Sequence, residues 1–303
     1  MLTPAPRHSD PASPLLDPRT LEQLSNLELI ARRIVEGHLQ GLHRSPQVGF
    51  ATNFAHHRPY TPGDDIRRID WRAFARSERF YIKQHEVNTN LRAHILLDAS
   101  GSMAYRGSDD AVSKFRYAQF VAAAVAYLIL NQRDSVGLIT FDRQLRETIA
   151  PASTPGHLAR VIKALDASAP REDSGIGPAL HETALRLRGR GMIILVSDLF
   201  EDASELINAL HHLQREGHEL VLLQIMAREE LDFPFKTWTT FENLERTGHD
   251  RRVDPAMMRS AYLAKLDAHQ RAILQAVHAM RIRYALMDTS RPLDKALAAC
   301  FSE

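Results

Sequence analysis

From residue 21 the apolar positions recur at helical spacing. Leu21, Leu24, Leu27, Leu29, Ile30, Ile34 and Leu39 fall near a 3.6-residue period and predict one amphipathic helix ending around Gly37 to Gly41. Residues 44–90 change character. Short apolar pieces, Val48-Gly49-Phe50 and Phe80-Tyr81-Ile82, alternate with turn signals such as Tyr60-Thr61-Pro62-Gly63-Asp64-Asp65, and a small mainly β module is expected there. After Arg92, strands and helices alternate. Strands are expected over 93–97, 136–141, 192–196, 219–225 and 282–286, and helices over 112–130, 158–165, 178–187, 203–215 and 257–280, with a last helix at the end of the sequence. Continuous apolar strands between helices predict an open, mainly parallel α/β sheet with helices on both faces. The opening twenty residues carry five of the fifteen prolines and no apolar period, so a flexible tail is expected there. The expected division is therefore 1–20 tail, 21–91 helix and small β module, and 92–303 the α/β domain.

Composition narrows the chemistry. Among 303 residues, 38 Lys and Arg face 37 Asp and Glu, and a net charge of +1 implies no global pull toward nucleic acid or anionic lipid. Between Arg58 and Lys83 seven basic residues outnumber four acids, but the acids are interleaved, which favours salt-bridged packing over a nucleic-acid surface. The single cysteine, Cys300, excludes a disulfide framework and cysteine-based metal clusters. The longest apolar run, 120–130, is too short to span a membrane and reads as a core helix. No export signal opens the sequence, so a cytoplasmic location is expected. The histidines show no helical ligand spacing.

Ligands of open parallel sheets bind beyond the carboxyl ends of the strands. Three polar segments are expected at such ends: Asp98-Ala99-Ser100-Gly101-Ser102-Met103, Glu172-Asp173-Ser174-Gly175-Ile176-Gly177 and Ser197-Asp198-Leu199. In an extended loop Asp98, Ser100 and Ser102 point to one side. One carboxylate with several hydroxyls is a hard-oxygen donor set, suited to Mg²⁺ or Mn²⁺, with Asp198 adding a carboxylate directly or through water and Ser174 another hydroxyl. The bland alternative for the first loop is a helix entry, where Ser and Asp are favoured caps.

Asp98-x-Ser100-x-Ser102 after the first strand of the α/β domain, with Asp198 at a later strand end, resembles the metal-ion-dependent adhesion site of von Willebrand factor A domains. Upstream, Arg58-Pro59-Tyr60-Thr61-Pro62-Gly63-Asp64-Asp65-Ile66-Arg67-Arg68-Ile69-Asp70-Trp71 with Ala75-Arg76 and Tyr81-Ile82-Lys83 is similar to the signature of the bacterial DUF58-type family. The resemblance implies a von Willebrand A-like domain and metal ligands at Asp98, Ser100, Ser102, Ser174 and Asp198. It also implies a partnership with a MoxR-type AAA+ ATPase in maturing or remodelling a client protein that offers an acidic side chain to the metal. One departure stands out: the family usually carries Thr-Asp where this chain has Ser174-Gly175. Within the Gly63–Trp71 stretch, acids pairing with Arg67, Arg68 and Arg72 are a sufficient structural explanation.

A non-enzymatic, metal-dependent binding adaptor is thus the expected function. The alternative is a Mg²⁺-dependent phosphoryl-transfer enzyme with Asp98 as nucleophile. Such phosphatases place a second Asp two residues on as general acid, where this chain has Ser100. No phosphate-cradling glycine loop and no serine-nucleophile elbow is present.

Overall fold

The computed structural model describes residues 17–24, 26–42, 57–59, 81–83, 91–108, 110–171, 175–187, 189–241 and 251–293. The chain divides into two units, one formed by 1–41 with 91–303 and the other by 42–90. In chain order the elements are α1 (Pro18–Glu22), α2 (Leu27–Leu42), β1 (His57–Pro59), β2 (Tyr81–Lys83), β3 (Arg92–Asp98) and, after a 3₁₀ turn over Gly101–Ala104, α3 (Lys114–Asn131). Then follow β4 (Ser135–Phe141), β5 (Leu145–Ala152), α4 (His157–Ala167), α5 (Ile176–Arg186), β6 (Met192–Ser197) and α6 (Ala203–Arg215). The chain continues through β7 (Glu219–Met226), α7 (Arg228–Asp232), β8 (Thr239–Phe241), β9 (Arg251–Val253), α8 (Pro255–Ala279) and β10 (Arg283–Asp288).

Six strands of the larger unit form one sheet in the order β10-β7-β6-β3-β4-β5, parallel except for β5, which runs antiparallel to β4. This is the open, mainly parallel sheet that the alternation of strands and helices predicts, with helices on both faces. Its strands are buried on both faces, and their side chains divide by parity. Ile95 and Leu97 of β3, Ile194 and Val196 of β6, and Val221 and Leu223 of β7 join a core with α3 and α2. Leu96, Ile193, Leu195 and Leu222 join a second core with α5, α6 and α8. Fourteen of the eighteen residues of α3 are buried, so the 120–130 run is a core helix.

Capping chemistry fixes the helix starts. Ser113 Oγ accepts from the Arg116 N–H at 3.2 Å, Asp202 accepts from Ser204 and Glu205, and Asp254 precedes Pro255 and accepts from Ala256.

Five points of the sequence reading need correction. The first helix begins at Pro18, inside the segment read as a tail, because Asp17 caps it and Pro18 fits its first turn. The single helix from residue 21 is instead two, α1 and α2, with Asn26 Oδ1 accepting from the Leu29 N–H to open the second. Both helices belong to the larger unit, where Leu21, Leu27, Ile30 and Ile34 are fully buried, rather than to the small β module. The polar stretch after β7 contains the short helix α7, and the edge strand β5 was missed altogether. Within 42–90, β1 and β2 pair antiparallel. The Gly63–Trp71 stretch and the expected last helix lie outside the described residues.

Candidate functional site

Strands β3 and β6 lie side by side and parallel, so their carboxyl ends open at the same edge of the sheet. This adjacency brings Asp98 and Ser197-Asp198 together although 99 residues separate Asp98 from Ser197. The Asp98 carboxylate is buried, 1% exposed. Its Oδ1 accepts from the Ser100 N–H at 2.9 Å, and its Oδ2 accepts from the Ser197 hydroxyl at 2.5 Å. Ser197 Oγ in turn accepts from the Leu199 N–H at 2.9 Å, which locks the rotamer of the residue holding Asp98.

Beyond Asp98 the chain turns through Ser100 in extended geometry into the 3₁₀ turn. Ser100 Oγ and Ser102 Oγ face each other at 3.2 Å, the same-side convergence that the i, i+2, i+4 spacing predicts. The Ala99 N–H donates to Phe141 O at 2.6 Å and the Arg171 N–H donates to Ala99 O at 2.9 Å, so backbone bonds hold the loop on both sides.

Asp198 is held differently. Its Oδ1 accepts from the Phe200 N–H at 3.1 Å, and its Oδ2 receives the Lys114 ammonium at 2.8 Å. Lys114 is 0% exposed and also pairs with Glu230 Oε1 at 2.7 Å. The ammonium lies 4.9 Å from the Phe200 ring centroid, a cation–π distance. Glu230 is tied down by its second oxygen, which accepts from the Ala227 N–H at 2.8 Å at the start of α7. A buried triad of one cation and two anions therefore lies directly behind the Asp98 loop.

Charge balance follows from this geometry. Burial, and then the negative charge of Asp198, push the Asp98 carboxyl well above the usual carboxylate range, against the hydrogen bonds from Ser197 and Ser100. Burial alone would lower the Lys114 ammonium, but Asp198 and Glu230 outweigh it and hold the group above its ordinary value. Burial also raises the Glu230 carboxyl, with Lys114 opposing.

Of the five sequence-derived ligands, Asp98, Ser100 and Ser102 come together in one loop. Asp198 stands behind them with Lys114 on it, and Ser174 lies outside the described residues. The loop fits a hard divalent cation: one carboxylate and two facing hydroxyls supply oxygen donors, and a cation there would relieve the repulsion between Asp98 and Asp198. The Lys114 contact leaves Asp198 suited to act on such an ion through its field or through water. The sequence reading placed Ser197 at a strand end without giving it a role, and it missed Lys114 and Glu230. A signal for Lys114 existed: a lysine at the first position of a helix stands where the macrodipole disfavours a cation, and so calls for a carboxylate partner.

These features define an α/β protein of von Willebrand A-like architecture with an Asp-x-Ser-x-Ser loop at its central strand. The family described as protein of unknown function DUF58 matches residues 56–272, and the chain belongs to it. It is 23% identical over 268 residues to an uncharacterized protein of Mycobacterium tuberculosis, covering 86% of this chain and 82% of that one. Among solved structures, it is similar to an aerotolerance-related membrane protein from Bacteroides fragilis, with 17% identity, 69% of this chain and 98% of that chain covered, and a TM-score of 0.46. BatB from Bacteroides thetaiotaomicron matches at 16% identity over 70% of this chain and 97% of that chain, with a TM-score of 0.47. Among the described residues no helix is long and apolar enough to cross a membrane.

Proposed function

We propose that the chain is a non-enzymatic adaptor that captures a partner protein through a divalent cation, Mg²⁺ or Mn²⁺, at the Asp98 loop. The observation that carries this reading is the pair of hydroxyls, Ser100 and Ser102, 3.2 Å apart beside the buried Asp98. Asp98, Ser100 and Ser102 would hold the ion, and Ser174 would complete the set. When bound, the ion supplies a Lewis-acidic position open to an acidic side chain of the partner. Ser197 holds Asp98 in place, and Lys114 pairs with both Asp198 and Glu230, leaving one net negative charge behind the loop. With a divalent ion bound, its charge and that of Lys114 equal those of the three carboxylates, so an incoming carboxylate meets no net negative charge. The resemblance drawn from the sequence names the partners: a MoxR-type AAA+ ATPase and a client protein. Energy-consuming work falls to the ATPase.

The test is thermal unfolding of wild type and Asp98→Ala with millimolar Mg²⁺ or Mn²⁺ and with chelator. At an ion concentration 100 times Kd, linkage gives about 2.7 kcal/mol of stabilisation in wild type and none in the variant. Co-purification with a MoxR-type ATPase should depend on the ion in the same way. No ion-dependent shift, alone or with the ATPase present, overturns the proposal.

A further inference from the structure

The sheet edge that carries the Asp98 loop also carries a cleft of about 770 Å³ between β5 and α4. Four cations line it: Arg146 from β5, Arg160 and Lys163 from α4, and Arg171. Two carboxylates, Asp142 and Glu147, oppose them. Asp142 is fully buried and spent on Arg146, whose Nε lies 2.5 Å from its Oδ2. Arg160, Lys163 and Arg171 have no ion-pair partner among the described residues, and of the described lining carboxylates Glu147 alone remains against them. Arg160 and Lys163 lie one helical turn apart, and the neighbouring lining positions on α4 are Ala164 and Ala167, whose small side chains leave room.

This trough is continuous with the candidate metal loop. Ala99, the residue after Asp98, lines it, and Arg171 is stitched to that residue by its backbone N–H at 2.9 Å. Four successive β5 residues, 146–149, form one wall, and β5 ends the sheet, so its outer backbone groups pair with no further strand among the described residues. Among the described residues no aromatic side chain lines the cleft, so none of them stacks a base. The cations come from three separate segments rather than converging as a phosphate cradle would.

We infer that the cleft receives an extended acidic segment of the partner protein. Carboxylates of the segment pair with Arg160, Lys163 and Arg171 while one further acid reaches the Asp98 loop. The inference rests on the metal-dependent reading for that last contact alone.

The probe is a fluorescein-labelled decaglutamate peptide, titrated by anisotropy with the full chain, in Mg²⁺ and in chelator. Binding is expected in both, weaker in chelator, and at least tenfold weaker in both when Arg160→Glu and Lys163→Glu are combined. Both positions are exposed, and an unchanged circular dichroism spectrum and Tm confirm that the variant folds. The control is Arg215→Glu, exposed at the end of α6 among the helices of the second core, and it should leave binding unchanged. No peptide binding, binding indifferent to the double reversal, or an equal loss in the Arg215 control overturns the inference. So does inorganic triphosphate binding more tightly than the peptide, which would mark a phosphate site. Binding that needs the ion but ignores the reversal leaves the metal reading standing and removes the cleft. Binding that needs the cleft cations but ignores chelator and Asp98→Ala keeps the cleft and removes the metal reading.

Discussion

Replacing Lys114 with methionine removes a charge while roughly keeping the volume, and the structure fixes what that removal exposes. The ammonium holds Asp198 at 2.8 Å and Glu230 at 2.7 Å, with the side chains of the three residues 0%, 2% and 13% exposed. Without it, two carboxylates face each other in a dry site beside a third, Asp98. Removing one member of a buried ion pair costs about 3–5 kcal/mol, because the stranded charge has no water to turn to. Glu230 is the more exposed of the two and can relax or take up a proton, so the lower half of that range is expected at neutral pH. Against a typical domain stability of about 5–15 kcal/mol this is a large fraction. Urea unfolding at pH 7.5 reads it as a fall in the midpoint with an unchanged slope. The decisive companion is Lys114→Met combined with Asp198→Asn and Glu230→Gln, which removes all three charges and should recover most of the loss. A single variant that loses under about 1 kcal/mol refutes the argument. So does a triple variant as unstable as the single one, since the cost would then lie in packing.

Three further outcomes follow from the same structure. His94 is held down to about 4 by burial, then by His218 and Arg92, so the unfolded chain binds the extra proton first as pH falls. Stability should drop between pH 6.5 and 4 by up to about 3 kcal/mol, and His94→Gln should flatten that slope in denaturation curves. Asp98 carries the opposite sign. Its carboxyl is raised in the fold, so the metal-free protein should lose stability as pH rises from about 4 toward 7, and in chelator at pH 8 Asp98→Asn should have the higher Tm while losing the response to Mg²⁺. A Cβ at Gly137 would stand 2.5 Å from Ile149 O and 2.9 Å from Pro151 N, both backbone atoms of β5. Gly137→Ala should therefore cost about 1–3 kcal/mol, with hydrogen-exchange protection lost first along β5.

Where the sequence could be read, one physical signal dominated. Strands such as β3, β6 and β7 are buried on both faces, so their runs are mainly apolar, and the carboxyl ends of β3 and β6 are marked by Asp98 and Ser197. β5 gives no such signal. It is an edge strand with burial at Ile149 alone, and Arg146, Glu147 and Thr148 look like loop residues until β4 pairs with them. The break between α1 and α2 was hidden for a related reason: the apolar positions on both sides of it face the same core, so the period runs on through the gap.

The site divides along the same line. Asp98, Ser100 and Ser102 lie within five residues, so local spacing alone predicts their convergence. Ser197, Lys114 and Glu230 reach the site across gaps of 84 to 116 residues, through strand order and the packing of α3, which spacing does not report. They decide how the site behaves electrically. A loop holding Asp98 and Asp198 alone would carry two buried negative charges and would repel the acidic partner that the proposed function requires. Lys114 pairs with Asp198 and Glu230 without occupying the loop, so with a divalent ion at Asp98 the two cations balance the three carboxylates and the site carries no net negative charge. The cation was placed by the fold at the start of α3, where the macrodipole disfavours it. It persists there because the two carboxylates need it, and that need is the quantity the methionine series measures.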